Sequence, residues 1–77
     1  MRKFEDLVMF WKKFKQAEVK QIPEKQLKLE IAKTFGCSHY TINGVIENLT
    51  DFGMFTLVLD NKEKKIKIYE VTDVDLK

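Results

Sequence analysis

Cys37 and His39 are the only cysteine and the only histidine of this 77-residue chain. A thiolate beside an imidazole is a nucleophile beside its base, but the chemistry needs a third group to orient the base and a pocket to hold a substrate. The stretch Gly36-Cys37-Ser38 reads as a tight turn between two helices and offers neither, so no catalytic residue is expected and the chain does not read as an enzyme. One cysteine and one histidine are too few for a zinc site within a single chain, and a lone cysteine forms no internal disulfide. No metal, cofactor or small-molecule ligand is implied, and Cys37 reads as a small buried hydrophobe. The other chemistry-bearing feature is cationic. Lys62, Lys64, Lys65 and Lys67 fall in one short stretch, with Asp60, Glu63 and Glu70 as the nearby acids. Ammonium groups clustered on an exposed turn are able to hold phosphate oxygens.

The elements that must position these groups are few. Seventy-seven residues make one domain, residues 1–77, which on folding buries roughly 60 to 65% of the surface its unfolded chain exposes. A core of that size suits a binding module better than a catalytic cleft. With 44% hydrophobic and 34% charged residues the chain is globular. No apolar run approaches the roughly 18 residues of a membrane span. The start Met1-Arg2-Lys3 leads into a segment broken by Glu5, Asp6, Lys12 and Lys13, which fits neither a signal peptide nor an anchor. A cytoplasmic protein without a membrane partner is expected. Fourteen basic against twelve acidic residues leave a charge of +2, too mild to identify a partner without its distribution.

Helical spacing predicts a first helix over about residues 4–20, with Phe4, Leu7, Val8, Trp11 and Phe14 in phase and Phe10, Ala17 and Val19 beside them. Its apolar arc of about 200° exceeds the roughly 100° stripe that one core contact requires. Either the small domain wraps this helix completely, or Phe4, Leu7, Phe10, Trp11 and Phe14 form the interface of a homodimer, which is the expected assembly. Pro23 opens a second helix over about 24–35, with Leu27, Ile31, Ala32 and Phe35 on one face, and Gly36 ends it. Ser38 offers an N-cap to a third helix over about 38–51, with Ile42, Val45, Ile46 and Leu49 facing inward and Gly53 beyond its end. Residues 54–71 alternate as a β-hairpin around Asp60-Asn61-Lys62-Glu63-Lys64. In its second strand Ile66 and Ile68 are expected to pack, while Lys65, Lys67 and Tyr69 face water.

The order helix, helix, tight turn, helix, hairpin resembles a winged helix-turn-helix domain. The stretch Glu30-Ile31-Ala32-Lys33-Thr34-Phe35-Gly36-Cys37-Ser38-His39-Tyr40-Thr41-Ile42 is similar to the helix-turn-helix of DeoR-type repressors. Ala32 is small where two helices would cross, Gly36 suits the turn, and Ile42 and Val45 would lock the third helix onto the second. Leu49-Thr50-Asp51-Phe52-Gly53-Met54 resembles the family's exit from the recognition helix into the wing. The resemblance covers about residues 24–71. It implies an α+β fold, a three-helix bundle followed by a two-stranded β-hairpin wing.

The resemblance further implies double-stranded DNA as partner and a role as a small transcriptional regulator. A winged-helix protein-interaction module without DNA binding is the alternative. Helical projection turns His39, Tyr40, Asn43 and Glu47 away from the core of the recognition helix. In the DNA reading Asn43 would bond an adenine edge, His39 a guanine or a phosphate, Tyr40 a phosphate or a thymine methyl, and Glu47 a cytosine amino group. Ser38 would meet a phosphate at the helix N-terminus. Where relatives commonly carry Arg or Lys on this face, this chain has none between Lys33 and Lys62. With the recognition helix in the major groove, Lys62, Lys64, Lys65 and Lys67 of the wing are therefore expected to grip the phosphate backbone or line the minor groove beside it, with Lys33 and Lys28 of the second helix as further backbone contacts.

Overall fold

The first helix ends sooner than its apolar spacing predicts, and the reason is local. In the computed structural model, which describes residues 4–36 and 39–73 and only the backbone of His39 and Tyr40, α1 spans Phe4–Gln16. Glu18 lies in the left-handed region at φ 58°. Its N–H donates to the Lys15 carbonyl at 3.1 Å while the Val19 N–H donates to the Phe14 carbonyl at 3.1 Å. This pair of bonds is a Schellman cap, which satisfies carbonyls that the helix end would otherwise leave open. A glycine is usual at such a position, and here a glutamate takes it.

The chain then forms β1 (Gln21–Pro23), α2 (Glu24–Phe35), α3 (His39–Asp51), β2 (Phe55–Asn61) and β3 (Ile66–Val71). The second helix has the predicted bounds. It is closed by Gly36 at φ 64°, whose N–H donates to the Ala32 carbonyl at 2.8 Å. Pro23 precedes α2 as its cap residue and as the last residue of β1, a place where its missing N–H costs nothing to the helix. A second Schellman cap closes α3. Gly53, at φ 76°, donates to the Thr50 carbonyl and Met54 to the Leu49 carbonyl, each at 3.0 Å. Met54 and Leu49 are both fully buried, the apolar contact that accompanies this cap.

The hairpin is not alone. β1 joins it to make a three-stranded antiparallel sheet in the order β1-β3-β2. Ile22 pairs with Tyr69, and Tyr69 with Leu57 on the other side, so one row crosses all three strands. A bulge in β2 between Leu57 and Leu59 then shifts the alternation on that strand. The architecture is α+β, three helices packed on one face of this sheet, an arrangement compatible with a winged-helix-like layout. The buried face of β3 is the reverse of the expected one. Tyr69 and Val71 are buried, whereas Ile66 is 41% exposed. Apolar residues stand at both parities of this strand, and the Ile22 side chain and the aromatic core select the odd one.

The core gathers Leu7, Phe10, Trp11 and Phe14 of α1, Leu27 and Ile31 of α2, Ile42, Val45, Ile46 and Leu49 of α3, and Ile22, Phe55, Tyr69 and Val71 of the sheet. Phe55 packs its ring against Phe10 and Phe14, with centroids 6.1 and 5.6 Å apart. The Trp11 indole N–H donates to the Thr72 carbonyl at 2.8 Å, tying α1 to the end of β3. These contacts bury four of the five residues expected at a dimer face. Leu7, Phe10, Trp11 and Phe14 are consumed by the chain's own core, and a second chain would reach them only by opening it. Of the five residues only Phe4 is exposed, at 43%, and its ring packs edge-on against Phe52 at 4.9 Å. No helix among the described residues is long and apolar enough to cross a membrane.

The position of β1 and the parity of β3 are testable together. Ile22→Ala is expected to cost about 2 to 5 kcal/mol in chemical unfolding, as for a buried large-to-small change. Ile66→Ala is expected to stay within roughly 0.5 kcal/mol of the wild type, as for an exposed site. The opposite ranking would return β3 to the parity that alternation of Ile66 and Ile68 implied.

Candidate nucleic-acid interface

The hairpin turns over residues 62–65, where the Asn61 carboxamide oxygen accepts the Lys64 N–H at 3.1 Å and Lys65 takes a left-handed φ of 56°. Asn61 tolerates such a turn because its side chain replaces a backbone acceptor. The turn leaves Lys62, Lys64 and Lys65 exposed. Among the described residues none of the three is ion-paired to a carboxylate.

Lys67 differs. It shares the parity of Tyr69 and leans to the helix side of the sheet, where its Nζ lies 3.9 Å from Glu24 Oε2. Glu24 stands in the first turn of α2, favoured there by the helix dipole. Its other oxygen lies 3.4 Å from Lys28 Nζ, and the Tyr69 hydroxyl donates to Oε2 at 3.2 Å. Glu24, Asp60, Lys62, Lys65 and Lys67 line one open concavity between the hairpin and the start of α2. Three of the four predicted wing lysines are thus brought together, beside an acid that spacing alone did not associate with them.

Tyr69 is the group whose ionisation this arrangement changes most. Burial first, and then the neighbouring Glu24 carboxylate, push its phenol up from 10.0 to about 12. Both favour the neutral phenol, which is the form able to donate to Glu24.

On α3, Asn43 and Glu47 are exposed, as predicted. Gly44 lies between them, opposite the buried Ile42, Val45, Ile46 and Leu49. A methyl group at Gly44 would meet nothing within 4 Å among the described residues. The glycine therefore serves no close packing among them, although it costs the helix about 1 kcal/mol relative to alanine. His39 and Tyr40 lie in the first turn of α3, and their side chains, with the whole of Ser38, fall outside the described residues. Lys33 is apart from the wing, at the far end of α2. Its side chain is 73% exposed and lies 4.0 Å from Glu30, which also faces Lys13 at 3.8 Å. The expected surface is therefore divided among α3, the hairpin end and the far end of α2. Among the described residues, none of α3 lines the lysine concavity. Among the described residues no group of three or more His, Cys, Asp or Glu is placed to hold a metal ion.

Sequence reasoning missed Glu24 as a partner of the wing, because it assigned Tyr69 to the wet face. The available signal was Tyr69 and Val71 two apart, an apolar pair in phase with Lys67 and out of phase with Ile66 and Ile68. Comparison with known proteins matched no protein family, no curated protein and no solved structure.

The Tyr69 contact has a pH signature. A phenol raised in the folded state holds its proton where the unfolded chain has lost it, so its contribution is complete below about pH 10 and is lost as pH rises towards 12. Thermal melts across that range should show Tyr69→Phe declining less steeply than the wild type. Parallel curves would mean that the hydroxyl does not hold its proton against Glu24.

Proposed function

We propose that this chain is a winged helix-turn-helix domain that binds double-stranded DNA and acts as a small transcriptional regulator. The observation that carries the reading is the bare backbone at Gly44, in the middle of the outward face of α3, with Asn43 and Glu47 exposed beside it. A helix face that gives up about 1 kcal/mol of propensity for no contact among the described residues has a use for the space outside it, and close approach of a duplex is such a use. The outward face of α3 enters the major groove, where Asn43 bonds an adenine edge and Glu47 accepts from a cytosine amino group. Lys62, Lys64 and Lys65 lie along the phosphate backbone and supply most of the affinity. Glu47 and Asp51 make α3 acidic, so the helix selects sequence and the hairpin supplies attraction.

One observation favours a second reading, a protein-docking module. Val58, Leu59 and Ile66 are all exposed large apolar residues on the hairpin.

Titration of a labelled random-sequence duplex, followed by fluorescence anisotropy at several salt concentrations, decides between the two. DNA binding predicts affinity that falls linearly on a log-log salt plot. The triple variant Lys62→Ala, Lys64→Ala, Lys65→Ala should flatten that slope by about 0.9 for each phosphate that the lysines no longer neutralise. No binding by the wild type at low salt would select the docking module.

Gly44→Ala separates helix stability from contact. It should raise unfolding stability by about 1 kcal/mol while weakening binding to a selected high-affinity duplex. A variant that is more stable and binds as well as the wild type would show that nothing approaches α3 at this position.

A further inference from the structure

We propose that Glu24 is an internal stand-in for a DNA phosphate: it occupies Lys28 and Lys67 in the free protein and surrenders them to the backbone of a bound duplex, so that it lowers and sets the affinity. The inference rests on the DNA-binding reading and names a residue that regulates the same surface.

A carboxylate and a phosphodiester each present one negative charge on two free oxygens, and an ammonium group serves either one. In the free chain Glu24 directs one oxygen to each lysine, at 3.4 Å to Lys28 and 3.9 Å to Lys67. Both separations are longer than a tight charge-assisted hydrogen bond. The Lys67 side chain is 44% exposed and that of Lys28 is 31% exposed. Ion pairs of this kind are worth little in water, so exchanging the carboxylate for a phosphate costs little. Lys67 shares its concavity with Lys62 and Lys65, so a phosphate held by those two is within its neighbourhood.

Glu24 does not depend on the lysines for its place. The Tyr69 hydroxyl bonds it at 3.2 Å, and its position in the first turn of α2 is favoured by the helix dipole. It remains where it is when the lysines turn outward, and its charge goes on opposing the approaching backbone. Lysines already neutralised from within take less part in the exchange of counterions, so the chain releases fewer ions on binding than its lysine count implies.

The test is salt-dependent anisotropy on the random-sequence duplex, comparing the wild type with variants at Glu24, Glu63, Lys65 and Lys67. Glu24→Gln keeps an acceptor for Tyr69 and removes the charge that holds Lys28 and Lys67. It should bind more tightly at low salt, with a log-log slope steeper by about one to two units, and Lys67→Ala added to it should return about one of those units. Glu63→Gln removes the same charge from an exposed turn residue that forms no ion pair among the described residues, and should leave the slope unchanged. Lys67→Ala in the wild-type background needs no change at Glu24 and should alter the slope by much less than Lys65→Ala. If Glu24→Gln binds with the wild-type slope, or if Glu63→Gln steepens it equally, the proposal is overturned while DNA binding stands. If the wild type binds no duplex at low salt, the DNA reading itself fails and takes this inference with it.

Discussion

The antiparallel pairing of Gln21–Pro23 with Ile68–Glu70 is the constraint on which the remaining geometry depends. It turns β3 into a central strand flanked on both sides, and it ties the segment between the first two helices to the last third of the chain. Ile22 is set beside Tyr69, which commits β3 to the parity that buries Tyr69 and Val71. Pro23 then ends the strand and starts α2 in a single residue, so the first turn of α2 lies next to β3. Without this pairing Glu24 would have no reason to be near Lys67 or Tyr69. A three-residue strand achieves this because it sits at the sheet edge, where a proline removes no needed donor.

The same constraint explains why a polar cluster can sit at the margin of an otherwise apolar core. Tyr69 brings a large ring inside and a hydroxyl to the boundary, where it requires a partner. Glu24 is that partner, and the Tyr69 hydroxyl together with the helix dipole at the start of α2 offsets its partial burial. Lys28, one helical turn on, and Lys67, across from the sheet, each lie near one of its oxygens. Each member satisfies another, and no buried side-chain nitrogen or oxygen among the described residues is left without a hydrogen bond. The cluster carries charge on its outside and an aromatic ring on its inside, which lets one group of residues join hairpin to helix and still face solvent.

What the amino-acid pattern revealed and what it hid follow one rule: signals that are local and redundant were legible. The bounds of α2 and the end of α3 were readable from Gly36 and Gly53, because glycine is the residue that takes the left-handed cap without strain. The end of α1 was not, because Glu18 takes that conformation, and propensity assigns glutamate to helix interiors. β1 is too short for periodicity to register. The parity of β3 was ambiguous because Ile66 and Ile68 compete with Tyr69 and Val71, and only a residue from the first third of the chain, Ile22, resolves it. The wide apolar face of α1 was legible as a fact but not as to its use. Phe55 and Trp11's acceptor at Thr72, both from the far end of the chain, absorb it. Of the candidate site, the exposure of Asn43, Glu47 and the turn lysines could be read in advance. The convergence of Lys62, Lys65 and Lys67 on Glu24 could not, since it depends on β1.

The separation of charge from hydrogen-bonding groups has a mechanical consequence. α3 carries carboxylates and no lysine or arginine, so by itself it repels a phosphate backbone. The hairpin end carries ammonium groups and few groups suited to reading base edges. Under the proposed DNA-binding reading, a duplex drawn in by the hairpin would meet an α3 that offers a net gain only where its hydrogen bonds are matched, because a mismatch leaves a carboxylate desolvated and unpaired. An acidic reading helix would then raise the penalty for a wrong sequence more than it raises affinity for a right one. Such a division would need the attraction to be held below the level at which every sequence is bound, and under the same proposal a carboxylate already seated among the lysines would be a direct way for so small a fold to hold it there.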